Sequence, residues 1–177
     1  MSGAKTLTEE AVWEALAEVH DPEIPVLSVV DLGMVHRVTL DQGAEGGGGW
    51  LRVELLPTFV GCPALELIRA AVAGRLAGMA AVVEVEMTFA EPWTSDRITA
   101  EGRRKLRESG FAPPAPAAGE GRPGQAPLAG IATRPSAACP YCGARDTTLE
   151  NPFGPTPCRA IFWCNRCRQP FEQFKRV

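Results

Sequence analysis

Near the N-terminus, apolar residues recur at helical spacing: Val12, Leu16 and Val19 share one face, Thr6 or Thr8 can cap the segment, and Glu9 and Glu10 fall in its first turn. Pro22 disfavours helical geometry at Asp21, so this helix is expected to end near His20. Met34 to Leu40 then alternates as a strand, with His36 expected on the face of Met34, Val38 and Leu40 as a satisfied packing residue. Five glycines occupy the seven positions from Gly43 to Gly49, and Leu51, Val53 and Leu55 resume the alternation. This pattern predicts a hairpin with a long tip. A second helix is predicted from Pro63, with Leu65, Ile68, Val72, Leu76 and Met79 as its apolar stripe. A third strand follows, with Val83, Val85, Met87 and Phe89 on one face and Glu84, Glu86 and Thr88 on the other. The last helix, from about Ile98 to Ser109, stops at Gly110. The order predicts an α+β domain, a small three-stranded sheet with packed helices.

Residues 112–138 break the pattern. Their 27 positions hold six prolines, four glycines and nine alanines, with Leu128 and Ile131 as the only larger aliphatics. So apolar-poor a stretch cannot offset its ordering entropy by burial and reads as a semi-extended linker between residues 1–111 and a C-terminal segment, 139–177. A Gly-x-Gly-x-x-Gly at Gly119, Gly121 and Gly124 lies inside this linker, without the strand and helix that a dinucleotide site needs. Charge follows the same division. Residues 1–111 carry 10 Lys+Arg against 17 Asp+Glu, a charge of −7, and residues 112–177 carry 8 against 4, a charge of +4. The longest weakly polar run, Ala70 to Val83, is broken by Arg75 and is shorter than the ~20 apolar residues of a membrane span. The first residues lack the apolar core of a secretory signal, so a cytoplasmic, reducing location is expected, away from membranes. There the six cysteines are expected to be metal ligands or reactive thiols.

Gly61-Cys62-Pro63 sets a thiol at the predicted cap of the second helix, where unpaired backbone N–H groups and the helix dipole favour the thiolate. A thiolate there can attack electrophiles or bind soft metals. The same residue can equally be a small buried cysteine filling space beside Pro57 and Phe59. Upstream, Asp21, Glu23 and Asp31 bring three carboxylates into one short, proline-restricted segment. They can orient a cation or a thiol, or cap turns; for Glu23 and Asp31 capping is the expected role.

The strongest pattern lies at the C-terminus. Cys139-Pro140-Tyr141-Cys142-Gly143 and Cys164-Asn165-Arg166-Cys167 are two C-x-x-C knuckles separated by 21 residues, close to the usual four-cysteine zinc spacing. Each knuckle is a tight turn that aims two thiolates at one ion, and Gly143 suits its left-handed position. The 39 residues from 139 to 177 are too few to hold themselves together by apolar burial alone, so a structural metal closing a ribbon is expected. Its strands should include Ile161-Phe162-Trp163 and Phe171 to Phe174. Zinc is the first choice at Cys139, Cys142, Cys164 and Cys167, and a single iron is the other occupant such ligands accept. Cys158, outside both knuckles, reads as a packed free cysteine.

Asp21-Pro22-Glu23-Ile24-Pro25-Val26-Leu27-Ser28, followed by Asp31-Leu32-Gly33 and by Pro57-Thr58-Phe59-Val60-Gly61-Cys62-Pro63, resembles the iron–sulfur assembly family that includes SufT. Together with Ile98-Thr99-Ala100-Glu101-Gly102-Arg103-Arg104-Lys105-Leu106, Gly110-Phe111-Ala112-Pro113-Pro114 and the cysteine ribbon, it resembles the PaaD-type branch, accessory subunits of the phenylacetyl-CoA oxygenase (1,2-epoxidase) system. The resemblance covers nearly all of residues 8–113 and 139–177. It implies that Cys62 is the reactive or cluster-binding cysteine and that Asp21 and Glu23 lie in the acidic loop. Where the family has Thr-Pro-Thr-Tyr-Ser-Gly-Cys-Pro, this chain has Leu56-Pro57-Thr58-Phe59-Val60-Gly61-Cys62-Pro63, which leaves Thr58 as the side-chain donor in the loop.

The resemblance further implies a maturation factor for the iron–sulfur or iron centres of the oxygenase. Cys62 would take a transient iron–sulfur cluster, and the ribbon would dock on the reductase or di-iron subunit; a homodimer is left open. A nucleic-acid-binding ribbon, or an interaction module without cluster chemistry, ranks below this reading. Arg159, Arg166, Arg168, Lys175 and Arg176 are few, and the −7 of the attached domain repels a polyanion. A thiol enzyme built on Cys62 has no identifiable base: His20 precedes the acidic loop and could approach Cys62, but nothing in the sequence fixes that geometry, so no independent catalysis is predicted.

Overall fold

The computed structural model of the chain describes residues 7–43, 49–59, 61–114 and 137–176. The middle of the expected hairpin tip (44–48), Val60, and 115–136 of the expected linker, including Gly119, Gly121 and Gly124, lie outside the described residues. The chain divides into two compact units, Met1–Gly102 and Arg103–Val177.

In the first unit, α1 (Glu9–Ala17) starts where Thr8 Oγ1 accepts the Ala11 N–H at 3.2 Å, with Glu9 and Glu10 against the positive end of the dipole. It ends earlier than the sequence suggests. The Glu18 and Val19 N–H groups return three residues, to Ala15 and Leu16, and His20 leaves to bridge Ser28. Strands β1 (Val35–Asp41) and β2 (Trp50–Leu55) pair antiparallel, with Val38 opposite Val53 and Leu40 opposite Leu51. Strand β3 (Val82–Met87) pairs parallel with β2, a direction that requires a crossover, and helix α2 (Leu65–Leu76) supplies it. The sheet order is β1-β2-β3. Val12 and Leu16 of α1, Leu51, Val53 and Leu55 of β2, and Ile68, Val72 and Leu76 of α2 are buried together as the core.

Met79, expected in the apolar stripe of α2, lies past the end of that helix at Leu76, and the structure also changes two face assignments. A register shift between Val35 and Arg37 makes His36 the extra residue of a β-bulge, so Val35 rather than His36 joins the Val38 and Leu40 face. His36 instead meets Glu91, Nδ1 to Oε1 3.2 Å. The sequence pattern sets Phe89 on the β3 face of Val83, Val85 and Met87, but the strand ends at Met87, its last ladder bond runs from the Thr88 N–H to the Leu55 carbonyl, and Phe89 is 69% exposed. The region after β3 is pinned to the start of β1 by side chains: Trp93 Nε1 donates to the Leu32 carbonyl at 2.9 Å and Arg97 Nε to the Gly33 carbonyl at 2.9 Å. A short 3-10 turn (Ser95–Arg97) leads into α3 (Ala100–Glu108), which stops at Gly110 in the left-handed region, φ 83°.

The second unit is a four-stranded sheet of order β4-β7-β6-β5. Strands β5 (Thr147–Asn151), β6 (Arg159–Cys164) and β7 (Pro170–Phe174) form an antiparallel ribbon, and β4 (Phe111–Ala112) adds to β7 in parallel. Its core is small: Ala112, Ala137, Cys139, Ala160, Phe162, Cys164 and Phe171, with the Phe162 and Phe171 rings stacked at 5.7 Å. Two of those buried residues are Cys139 and Cys164, and the half-buried Cys142 and Cys167 pack against them.

Candidate metal centre and cysteine loop

Both knuckles are built by the same backbone device. In the first, the Gly143 N–H returns to the Cys139 carbonyl at 2.9 Å and the Cys139 N–H reaches the Ala144 carbonyl at 2.9 Å. In the second, the Arg168 N–H returns to the Cys164 carbonyl at 2.9 Å and the Cys164 N–H reaches the Gln169 carbonyl at 3.0 Å. The fifth residue of each turn is left-handed, Gly143 with φ 72° and Arg168 with φ 60°. The strand order then brings the turns together. Cys139 Sγ lies 3.6 Å from Cys167 Sγ, Cys142 Sγ lies 3.6 Å from Cys164 Sγ, and all four sulfurs lie within 4.8 Å of one another.

These distances test a metal directly. Four thiolates at ~2.3 Å from a tetrahedral ion are about 3.8 Å apart, which the sulfurs already match, whereas a disulfide would need ~2.05 Å. The donor set fits a closed four-thiolate site. Cys139 and Cys164 are buried and Cys142 and Cys167 half-buried, so the centre is shielded on one side. Electrostatics separates two of the thiols. The Cys167 N–H points at Cys164 Sγ at 3.5 Å, and this contact leads in holding the Cys164 thiol down at about 7. Burial, followed by hydrogen bonds to Cys164 and Cys139, pushes Cys167 up to about 12. Cys158 lies outside this cluster, half-buried, with its sulfur 3.1 Å from Thr156 Oγ1.

In the first unit, Asp21 and Glu23 lie on the loop after α1, and Thr58 and Cys62 on the loop between β2 and α2. Asp21 is 8% exposed, and its Oδ1 accepts the N–H groups of Glu23 at 2.7 Å and Ile24 at 2.9 Å, so its carboxylate closes the turn. Glu23 is exposed. Asp31 Oδ2 takes the N–H and the hydroxyl of Ser28, both at 2.9 Å, which is the capping role expected of it. Cys62 and Thr58 are half-buried.

The second helix starts two residues later than Pro63. A turn bond from the Leu65 N–H to the Cys62 carbonyl at 3.3 Å precedes it, and Ala64 is its cap. Cys62 therefore stands one turn before the helix, its own N–H donated to the Phe59 carbonyl at 3.1 Å. The helix dipole falls off within about a turn, so its pull on this thiol is weaker than the sequence implied.

Two features escaped the sequence. Arg159 is 8% exposed, pairs with Glu172 at 2.9 Å, bonds Thr156 Oγ1 at 2.8 Å and lies 5.8 Å over the Phe111 ring. Glu91 joins Arg97 at 2.7 Å and His36 at 3.2 Å. The first depends on the pairing of β6 with β7, and the second on the segment after β3 returning to the start of β1. Among the described residues no helix is long and apolar enough to cross a membrane.

Known proteins share both halves of the chain. Residues 124–175 match the family described as "PaaD zinc beta ribbon domain", and residues 9–87 match "Iron-sulfur cluster assembly protein". The chain is 39% identical over 167 residues to a subunit of the "Putative 1,2-phenylacetyl-CoA epoxidase" of Escherichia coli strain K12, covering 94% of this chain and 92% of that one. Among solved structures, it is similar to a domain of unknown function, DUF59, from Bacillus anthracis, at 26% identity and a TM-score of 0.49 over 55% of this chain and 90% of that one. It is also similar to Rv1466 of Mycobacterium tuberculosis, a protein associated with [Fe-S] complex assembly and repair, at 30% identity and a TM-score of 0.31 over 62% of this chain and 98% of that one.

Proposed function

The chain belongs to the family of the Escherichia coli 1,2-phenylacetyl-CoA epoxidase subunit that it matches along most of its length, and from that premise we propose that it is an accessory factor that matures the iron–sulfur or iron centres of such an oxygenase. The observation that carries this reading is a combination on one chain: an iron–sulfur cluster assembly match over residues 9–87 and a ribbon whose four sulfurs lie within 4.8 Å.

In this reading the two parts divide the work. Cys62 offers one thiolate to a cluster that is cargo; Thr58, on the same loop, would offer a hydroxyl, and the exposed Glu23, on the loop after α1, an oxygen ligand or proton acceptor. Asp21 acts through the loop, holding the Glu23 and Ile24 N–H groups in place. A stable cluster wants about four thiolates, so a single cysteine suits a transient hold completed by the client's own ligands. Cys139, Cys142, Cys164 and Cys167 would hold zinc, which when bound supplies a closed, redox-inert cross-link. The ribbon, so locked, docks on the reductase or di-iron subunit, and the whole acts in the cytoplasm.

Anaerobic purification with metal analysis and an absorption spectrum tests the division. About one zinc per chain without a visible chromophore is expected. Stoichiometric iron and sulfide would make the chain a stable carrier instead. Deleting the chain from its host should lower client oxygenase activity, and unchanged activity would remove the maturation role.

A further inference from the structure

The metal end of the ribbon carries a cationic surface. Arg145 follows the first knuckle, Arg166 lies between the cysteines of the second, and Arg168 follows it. The two turns meet at the four sulfurs and are tied again beside the arginines. Asn165 donates from Nδ2 to Asp146 Oδ1 at 2.9 Å and from its N–H to the Asp146 carbonyl at 3.0 Å. Arg145 and Arg166 are the chain neighbours of that bonded pair, so both side chains start from one place although 21 positions separate them. All three arginines are exposed, and among the described residues none is in an ion pair. Arg159 differs: its charge is used inside the ribbon, on Glu172. Arg168 moreover occupies a left-handed position, φ 60°, where Gly143 stands in the first turn. A long cationic side chain holds a position that backbone geometry would give to glycine.

A groove of about 350 Å³ with a mixed lining opens in the same unit; Phe111, Tyr141, Ile161, Pro170 and Phe171 form its apolar part and Ser109 lies at its polar part. Tyr141 lies between the first two cysteines and is 57% exposed, and Pro170 is two residues past Arg168, so the groove's lips adjoin the cationic turns. Glu172 also lines the groove, its carboxylate held by Arg159 at 2.9 Å.

We propose that this surface docks an acidic segment of the client protein, with carboxylates against Arg145, Arg166 and Arg168 and one apolar side chain in the groove beside Tyr141. Planar guanidinium forks match carboxylates in pairs, and an aromatic-walled groove anchors a side chain. A nucleic acid fits less well. A phosphate backbone carries no side chain to fill the groove beside Tyr141. The proposal deepens the maturation reading and rests on it for the identity of the client.

The test uses the full-length, metal-loaded chain. Its binding to purified oxygenase and reductase subunits, and to a short single-stranded DNA, is measured by biolayer interferometry at about 50 and about 300 mM NaCl. The variants are Arg145→Gln/Arg166→Gln/Arg168→Gln and Tyr141→Ala, each checked for metal content and melting. The expected result is binding to a protein subunit that weakens about tenfold or more with salt and in the triple variant, and also weakens in Tyr141→Ala. Should the triple variant lose metal, the single variants Arg145→Gln and Arg166→Gln carry the test. Equal binding by wild type and variants would overturn the surface while leaving the maturation reading intact. Arginine-dependent binding to the DNA alone would overturn it in favour of a nucleic-acid partner. Binding to neither would also overturn it, and the maturation reading would then stand or fall on client iron in cells.

Discussion

Gly143 and Arg168 hold equivalent places in two facing turns: each sits in the left-handed region, at φ 72° and φ 60°, and each returns its N–H to the first cysteine of its turn at 2.9 Å. The equivalence predicts opposite responses to substitution. Gly143→Ala introduces a Cβ that meets nothing within 4 Å, so its cost is conformational alone, about 1–2 kcal/mol. Arg168→Gly removes a similar strain but adds freedom to the unfolded chain, and should leave stability within about 1 kcal/mol of wild type. Denaturant unfolding of the metal-loaded chain distinguishes the two; equal losses would show that the turns are not equivalent.

Replacing any of Cys139, Cys142, Cys164 or Cys167 by Ala should lower the metal content from about one per chain towards zero and unfold the ribbon. Cys158→Ala should keep the metal, because its sulfur lies beside Thr156 and outside the four-sulfur cluster. Metal analysis after dialysis reads both. Metal loss in Cys158→Ala would place that thiol in the centre.

Protons must leave when metal enters. Cys167 is pushed up to about 12, so it is a thiol at neutral pH and must release a full proton, whereas Cys164, held at about 7, is already largely ionised at pH 8. Within the folded metal-free form of the ribbon the two thiols act with opposite signs. The depressed Cys164 adds stability that is present above the ordinary thiol value of about 8.5 and is lost as pH falls through about 7. The raised Cys167 adds stability that is present below that ordinary value and is lost as pH rises towards about 12. Calorimetric titration at neutral pH in buffers of differing ionisation enthalpy should show at least one proton released per metal. Proton-neutral binding would contradict the assignment.

Asp21 is a buried acceptor for two backbone N–H groups, so Asp21→Ala should destabilise the first unit by about 2–3 kcal/mol, and Asp21→Asn, which keeps one acceptor, by less. Thermal melting reads the difference. If both variants melted like wild type, the carboxylate would be free for chemistry rather than for holding the loop.

The order of elements was legible because each has a strong local cause. Thr8 caps α1, Gly110 ends α3, and Leu51, Val53 and Leu55 alternate without interruption. The cysteine spacing likewise announced the four-sulfur cluster. What stayed hidden depends on distant partners. One extra residue at His36 turns the expected face over, and no pattern within β1 reveals it. Strand β4 is two residues long and exists only because β7 offers it an edge. The turn ahead of α2 moves the helix start past Pro63, which altered the electrostatic case for Cys62 more than any other difference.

By the function proposed above, the chain serves client iron through Cys62. The most direct test is the iron content of the epoxidase reductase and catalytic subunits, purified from host cells carrying wild type, no copy, or only Cys62→Ser of this chain. Both altered strains should yield client subunits depleted in iron, with the Cys62→Ser protein itself folded and holding its ribbon metal. Client subunits with normal iron in the Cys62→Ser strain would contradict the account.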